Sequence, residues 1–266
     1  MNDHQHQPQL PVEALAAYRQ ATEHRALADG DGRAGASAMA MYRAARRAGR
    51  TARWSLQAGA GVGPGMLAWW AIGWQAGLVT AATAASVAGV WVWRRCAEAS
   101  WRRGAVGERR TARTLRRLAR AGYVVLHDRA LPGSRANVDH LVIGPSGIWV
   151  VDSKRWHRKT GIRGRHGQVY VGSVPATKVV NPVKFECQAV ANVLGAAVQD
   201  ATLEVGALIA VHGARLPWGG VVVEQVPMLR PRKAVRILLQ AELVLNPQQV
   251  EVLARVARRE LPAVPV

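Results

Sequence analysis

The fold is decided by the stretch NVDHLVIGPSGIWVVDSK, which occupies residues 137–154. Two apolar runs flank a short segment of Gly, Pro and Ser, a pattern typical of a β-hairpin. If the loop has two or four residues, Asp139 lies directly opposite Asp152. A three-residue loop with a glycine bulge would bring Ser153 opposite Asp139 instead. Pro145 favours the even register, because proline suits the second position of a type I turn.

In the even register the Cβ atoms of Asp139 and Asp152 lie about 4.5–5.5 Å apart. Lys154 shares their face, because strand side chains alternate. Facing carboxylates raise each other's pKa unless a cation lies between them, and such oxygens suit Mg²⁺ or Mn²⁺. The metal would activate a water that Lys154 helps to orient or deprotonate. The alternative is that both aspartates merely end their strands and pair with arginines.

A third carboxylate belongs to a helix predicted over 105–121. At about 100° per residue, Glu108 points with an apolar stripe that contains Ala112, Leu115 and Ala119. The opposite side carries six arginines: Arg109, Arg110, Arg113, Arg116, Arg117 and Arg120. A carboxylate that points toward a core is costly unless it is paired or binds a metal. In the alternative interpretation, Glu108 lies in the first helical turn and complements the helix dipole.

These residues, in this order, resemble the nuclease-related (NERD) family of the PD-(D/E)xK superfamily. The runs that carry the resemblance are Gly107-Glu108-Arg109-Arg110, Asn137-Val138-Asp139-His140, Gly144-Pro145-Ser146-Gly147 and Val151-Asp152-Ser153-Lys154-Arg155-Trp156. The match covers roughly 104–200. It implies a restriction-endonuclease-like fold and divalent-metal-dependent hydrolysis of phosphodiesters. It also implies that Asp139 and Asp152 bind the metal, that Glu108 completes the acidic cluster and that Lys154 is catalytic.

The resemblance adds one further catalytic candidate. Gln188, on a helix predicted over 182–199, matches a polar position of the family. It shares a polar face with Lys184 and Asn192, so a solvated face explains it equally well. The chain departs from the family pattern at Val138, which replaces the proline of the motif name, and at Asp152, which replaces the commoner glutamate.

The strong positive charge predicts a polyanionic partner. The chain has 36 basic and 17 acidic side chains, a formal net charge of +19. Basic residues just beyond the hairpin are expected to contact nucleic acid, with DNA as the expected substrate: Arg155, Arg158, Lys159, Arg163 and Arg165. Basic residues between Arg94 and Arg103 are expected to contact anionic lipid headgroups instead.

That lipid expectation rests on residues 54–93, which contain no ionisable side chain. Their length suits two membrane spans, near 57–74 and 77–93, with a turn near residues 75–77. Arginine-rich flanks on both sides predict that the soluble domain lies on the cytoplasmic side of the cell membrane. Close helix packing is expected at Gly59, Gly61, Gly63 and Gly65. A buried helical hairpin of a soluble protein is the alternative.

The sequence therefore predicts an α/β fold, a restriction-endonuclease-like mixed sheet flanked by helices and preceded by a transmembrane helical hairpin. The predicted parts are an Ala/Arg-rich helical region at 1–53 (helices near 12–27 and 35–50), the hairpin at 54–93, a basic linker at 94–103 and the nuclease-related domain at 104–266. The predicted function is that of a membrane-anchored Mg²⁺- or Mn²⁺-dependent nuclease. The alternative is a membrane-tethered, non-catalytic protein that binds nucleic acid or acts as a scaffold.

Overall fold

The computed structural model describes residues 32–48, 50–95, 98–165 and 167–264. The chain divides into two compact units. Among the described residues, one unit comprises 32–37 together with 104–264, and the other comprises 38–103. The helix predicted near 12–27 lies outside the described residues.

The smaller unit is helical. It contains α1 (Ala36–Ala48, whose first two residues belong to the larger unit), α2 (Arg50–Ile72) and α3 (Trp74–Arg95), and α2 packs against α3. The turn between these two helices falls at Gly73, whose φ of 129° is in the region that favours glycine, and so lies slightly before the predicted position.

The glycines of α2 divide into two pairs. A Cβ on Gly61 would lie 2.8 Å from the carbonyl oxygen of Ala81, and one on Gly65 would lie 2.8 Å from the Ala81 side chain. These two glycines therefore allow the close approach of α3 that the sequence predicts. The prediction is wrong for Gly59 and Gly63, because nothing lies within 4 Å of a Cβ placed on either.

The two predicted membrane spans are not supported. Within the described residues, no helix is both long and apolar enough to cross a membrane. The stretch 54–93 lacks charge, but 17 of its 40 residues are Ala or Gly and only nine are Leu, Ile or Val, so its hydropathy is modest. The side chains of Arg94 and Arg95, for which lipid contacts were predicted, lie outside those described.

The larger unit is a mixed α/β domain. Its helices are α4 (Glu98–Leu115, which begins in the smaller unit), a 3₁₀ helix (Arg116–Ala121), α5 (Thr177–Val198), α6 (Pro231–Gln240) and α7 (Pro247–Glu260). Its strands are β1 (Val124–Ala130), β2 (Asn137–Gly144), β3 (Gly147–Arg155), β4 (Ile162–Arg165), β5 (Gln168–Val171), β6 (Val174–Pro175), β7 (Val205–His212), β8 (Val221–Val223) and β9 (Val226–Leu229).

Six strands form one mixed sheet in the order β1-β2-β3-β7-β9-β8, and β4-β5-β6 form a small second sheet. The β3–β7 pair is parallel, whereas β1–β2 and β2–β3 are antiparallel. One apolar cluster packs α5 and α7 on one face of the large sheet. A second cluster packs the 3₁₀ helix and α6 on the other face. The predicted mixed sheet flanked by helices is confirmed.

Three local features have clear physical causes. Strands β8 and β9 form a hairpin, because Glu224 and Gln225 have positive φ angles of 46° and 68° and form its turn. Helix α5 begins at Thr177 rather than at 182, because a proline is typical of a helix start, whereas Pro182 lies in the second turn and removes one helical hydrogen bond there. Helix α7 begins at Pro247, with Asn246 accepting a hydrogen bond from the amide of Gln249.

Candidate functional site

The β2–β3 hairpin has the predicted even register. Gly144 pairs with Gly147 and Leu141 pairs with Val150, so the loop consists of the two residues between the glycines. The alternative bulge register is therefore wrong. The paired residues of β2 and β3 extend as far as Leu141 and Val150. Beyond them, the amide of Ser153 on β3 donates to the side chain of Asp139 on β2, at Oδ2 (2.9 Å).

Asp152 and Lys154 are two residues apart on β3, so their side chains lie on the same face of the strand. Lys154 Nζ donates to Asp152 Oδ1 (3.0 Å) and lies 2.9 Å from Oδ2 in an ion pair. The aspartate is only 4% exposed. Burial alone would lower the pKa of Lys154, but Asp152 and Asp139 outweigh it and raise that pKa above its ordinary value. Lys154 is therefore an ammonium suited to orienting water or balancing negative charge, not to removing a proton.

The half-buried Asp139 belongs to the same cluster of charges. Burial raises the pKa of its carboxyl well above the ordinary value, and the negative charges of Asp152 and Glu108 raise it further. Lys154 and the amide of Ser153 act in the opposite direction. A carboxylate of this kind is destabilised in its ionised form until a cation reaches it.

Glu108 faces inward, as the helical periodicity predicts, and is 6% exposed. It lies well inside α4 rather than in its first turn, so the alternative role in complementing the helix dipole is wrong. Burial, followed by the charges of Asp128 and Asp152, raises the pKa of Glu108 to about 7, while the Gly35 amide and Lys154 lower it. The six predicted surface arginines of this region are all exposed.

A buried aspartate that the sequence analysis did not single out borders Glu108. Asp128 accepts hydrogen bonds from the amide (2.6 Å) and hydroxyl (2.6 Å) of Ser37 and from the side chain of Asn137 (2.7 Å). Its carboxylate is thereby satisfied within the protein. Asp128 therefore shapes the electrostatics around Glu108 but offers few free oxygen lone pairs to a ligand.

Helix α5 contributes Glu186 to the cluster rather than Gln188. Burial is the main cause that raises the pKa of Glu186 to about 8, and the negative charge of Asp152 adds to it. The positive charge of Lys154 acts in the opposite direction. Gln188 is exposed, and its amide donates to Asn192 (2.9 Å). The two residues are about 200° apart around the helix, so only one can face β3. Glu186 is the functional candidate that the sequence reasoning missed, and its only sequence signal is an acid on an otherwise apolar helical stripe.

A chain of hydrogen bonds crosses the domain on the other face of β3. It links five side chains in the order His127, His140, Ser153, Thr111 and His212, with spacings of 2.9, 3.1, 2.8 and 2.8 Å. Burial, followed by neighbouring positive charge, lowers the pKa of His140 and lowers that of His212 to about 4. This chain of hydrogen bonds ties α4 to β2 and β3, so it fixes the backbone that carries Asp139 and Asp152.

The predicted nucleic-acid-binding residues follow directly from β3. Arg155 is half-buried, with its Cβ 3.1 Å from where a Cβ on Gly107 would lie. The other four are exposed on the turn after β3 and on strand β4: Arg158, Lys159, Arg163 and Arg165.

The donor atoms of the acidic cluster suit a hard divalent cation. Two buried carboxylate oxygens of the cluster, Glu108 Oε2 and Glu186 Oε2, accept no hydrogen bond from the described residues, and Asp152 Oδ2 is balanced only by its ion pair with Lys154. Buried oxygens without donors are costly, and a cation is a common partner for them. Within the described part of the chain, however, no three His, Cys, Asp or Glu side chains are arranged to hold one ion. The cluster therefore fits a divalent cation by chemistry, while its side chains do not converge on a single point.

These pKa shifts predict how the stability of the metal-free protein depends on pH. Above pH 6.5, the ordinary histidine value, His140 and His212 are neutral in the folded chain and lose their remaining protons in the unfolded chain, so their opposing contribution to the slope fades as the pH rises. From there to about pH 8 the folded chain holds more protons than the unfolded chain, because the pKa values of Glu108 and Glu186 are raised from 4.5 to about 7 and about 8. The free energy of unfolding in EDTA should therefore fall as the pH rises through this window.

Urea unfolding at several pH values measures this slope, and Glu186→Gln should flatten it. The matched control is Glu251→Gln, which removes an exposed glutamate that pairs with Arg255 on α7. A stability that rises between pH 6.5 and 8, or an equal slope in Glu186→Gln, would contradict the buried acidic cluster.

The comparisons with known proteins agree with this geometry. Residues 103–210 match the model of the NERD family, the nuclease-related domain. The matched segment contains the whole acidic cluster, Lys154, His127 and His140, and the mixed sheet is consistent with the PD-(D/E)xK superfamily. No curated protein and no solved structure matches the chain. Residues 103–210, somewhat less than half of the 266-residue chain, therefore match a nuclease-related (NERD) domain.

Proposed function

We propose that this domain hydrolyses phosphodiester bonds of nucleic acid, with DNA as the substrate, in a reaction that depends on Mg²⁺ or Mn²⁺. The observation that carries the proposal is the cluster of two buried acids, Glu108 and Asp152, and two half-buried acids, Asp139 and Glu186, that interact with one lysine. A protein gains no stability from bringing buried carboxylates together, so their clustering points to a function that uses the negative charge.

Asp139 and Asp152 would hold the cation, and Glu108 would complete the site. A divalent cation bound there would polarise a phosphoryl oxygen and lower the pKa of a coordinated water. Lys154, held as an ammonium beside Asp152, would orient the attacking water and balance the negative charge that develops on the phosphate. Glu186, with its raised pKa of about 8, would hold a proton near the leaving oxygen.

The exposed cations beyond β3 support a nucleic acid as the substrate. Arg158, Lys159, Arg163 and Arg165 carry positive charge that follows Lys154 in the chain, on the turn after β3 and on β4. Each phosphate contact adds affinity that falls with salt. A backbone placed against these residues would pass the acidic cluster.

A nicking assay of the purified full-length chain on supercoiled plasmid tests the proposal. We expect nicking with Mg²⁺ or Mn²⁺, none with EDTA, and none in Asp152→Asn. The matched control is Asp200→Asn, which changes a buried aspartate that hydrogen-bonds Thr202 in the loop after α5. Nicking that survives EDTA or Asp152→Asn would refute the proposal.

A second candidate is a domain that binds nucleic acid without cutting it. The observation that favours it is the ion pair itself, because Lys154 already occupies Asp152 and no three acids converge among the described residues. Salt-sensitive DNA binding together with an absence of nicking at any Mg²⁺ or Mn²⁺ concentration would establish this candidate instead.

A further inference from the structure

The loop between β7 and β8 presents an unusual side chain to solvent. Trp218 lies in this loop, residues 213–220, and its side chain is fully exposed. Among the described residues, it is the most exposed of the large hydrophobic side chains. An indole has a large apolar face that is stabilised when it is covered, so a fixed, fully exposed tryptophan is a candidate contact for a partner.

The loop is anchored where it leaves the sheet. The amide of Arg215 donates to Thr160 O (2.7 Å), and Arg215 O accepts from the amide of Ile162 (2.8 Å). The guanidinium of Arg230 donates to Ala214 O (2.6 Å). The first half of the loop is thereby joined to the segment that leads into β4.

The turn that carries Trp218 is also closed by hydrogen bonds. The amide of Gly220 donates to Pro217 O (2.9 Å), and Lys233 Nζ donates to Gly219 O (2.6 Å). A side chain on a closed turn loses less conformational entropy on binding than one on a mobile loop. The indole is therefore already held in an exposed position, and a partner that binds it loses little further conformational entropy.

The loop leaves the sheet at the edge where Lys154 lies. Strands β3 and β7 are parallel, with Lys154 beside Val211 and Arg155 beside His212. The loop starts at the residue after His212. In open α/β sheets, ligands bind at the carboxyl ends of parallel strands, and this loop borders that edge.

The surroundings of Trp218 are uniformly basic. Residues 155–165, 213–220 and 230–240 contain no Asp or Glu. They contain ten Arg or Lys residues: Arg155, Arg158, Lys159, Arg163, Arg165, Arg215, Arg230, Arg232, Lys233 and Arg236. A partner that covers the indole must therefore tolerate or carry dense negative charge.

We propose that Trp218 stacks on an unpaired base of a nucleic acid strand that crosses this edge of the sheet. The inference rests on the proposed function, and it names the substrate class as nucleic acid with single-stranded character. A nucleic acid offers both phosphates for the cations and a flat base for the indole. A base inside a duplex presents no free face, so an overhang, a frayed end or a single strand fits, whereas membrane insertion would need several neighbouring apolar side chains.

Binding of the full-length chain in EDTA tests this inference without requiring cleavage. The probes are a fluorescein-labelled oligothymidylate and a blunt duplex of the same length, followed by fluorescence anisotropy. Trp218→Ala should weaken binding of the single strand by about 5- to 150-fold. Trp218→Phe should keep most of the affinity, and binding of the duplex should change by less than about twofold. The matched control is Trp70→Ala, an exposed tryptophan of the helical unit.

Three outcomes would overturn the inference. They are a wild-type chain that does not bind the single strand, a Trp218→Ala variant that binds it normally, and an equal loss for the duplex. If Trp218→Ala instead loses only its binding to phosphatidylserine-containing vesicles, the loop contacts lipid. If the wild-type chain cleaves plasmid DNA but Trp218→Ala binds the single strand normally, only this inference is contradicted. If the wild-type chain binds the single strand through Trp218 but does not cleave DNA, only the nuclease function is contradicted.

Discussion

Replacing Lys154 by glutamine should lower the rate of plasmid nicking by about 10²- to 10³-fold and leave Mn²⁺ binding intact. The rate should fall because the ammonium, whose raised pKa keeps it charged, is the only cation of the cluster that touches Asp152 in the described structure. Mn²⁺ affinity should be kept or increased, because the ammonium and the metal ion compete for the same carboxylate oxygens. Initial rates at saturating Mn²⁺, together with calorimetric titration of Mn²⁺, measure the two effects separately.

Lys184→Gln is the matched control for Lys154→Gln. Lys184 is an exposed lysine of α5 that pairs with Glu224 at 3.1 Å, and its loss should leave both measurements unchanged. Normal nicking by Lys154→Gln would contradict the assigned role. If Lys154→Gln loses both Mn²⁺ binding and nicking, Lys154 organises the site rather than acting in the reaction.

Replacing Asp139 by asparagine should abolish nicking and, in EDTA, make the protein more stable. Burial and the charges of Asp152 and Glu108 disfavour the ionised carboxylate, so removing the charge removes that cost. The amide oxygen of asparagine can still accept the hydrogen bond from the amide of Ser153. At pH 8 we therefore expect the free energy of unfolding to be higher for Asp139→Asn than for the wild-type chain.

Urea unfolding of the two proteins with EDTA and then with Mn²⁺ measures this effect. Mn²⁺ should stabilise the wild-type chain, because it binds only the folded protein, and should have little effect on Asp139→Asn. A variant that is less stable than the wild type in EDTA would show that Asp139 is a structural residue. In that case the acidic cluster would have to be explained without a metal.

Much of this site could be predicted from the sequence, because local periodicity controls it. Alternation along β2 and β3 with a short Pro-Ser turn predicted the hairpin register, and helical periodicity predicted the inward direction of Glu108. These arguments need only the geometry of one strand pair or of one helix. They place a side chain on a face, but they do not give its distance from other elements.

The parts that sequence reasoning missed depend on contacts between distant segments. The chain that links Thr111, Ser153 and His212 joins residues up to 101 positions apart, which no local pattern encodes. On α5 it is Glu186 rather than Gln188 that lies near Asp152 and Lys154, and the sequence does not show this because a helix face cannot be chosen without knowing what it packs against. The membrane spans were predicted from the absence of charge, although the hydropathy of the Ala- and Gly-rich segment was too low.

Calorimetric titration of the EDTA-stripped, full-length chain with Mn²⁺ tests most directly whether the acidic cluster binds a metal. We expect saturable binding to the wild-type chain, loss of that binding in Asp152→Asn, and normal binding in Asp200→Asn. A wild-type chain that takes up no Mn²⁺, or an Asp152→Asn variant that binds it as well as the wild type, would contradict a metal-dependent nuclease site at these residues.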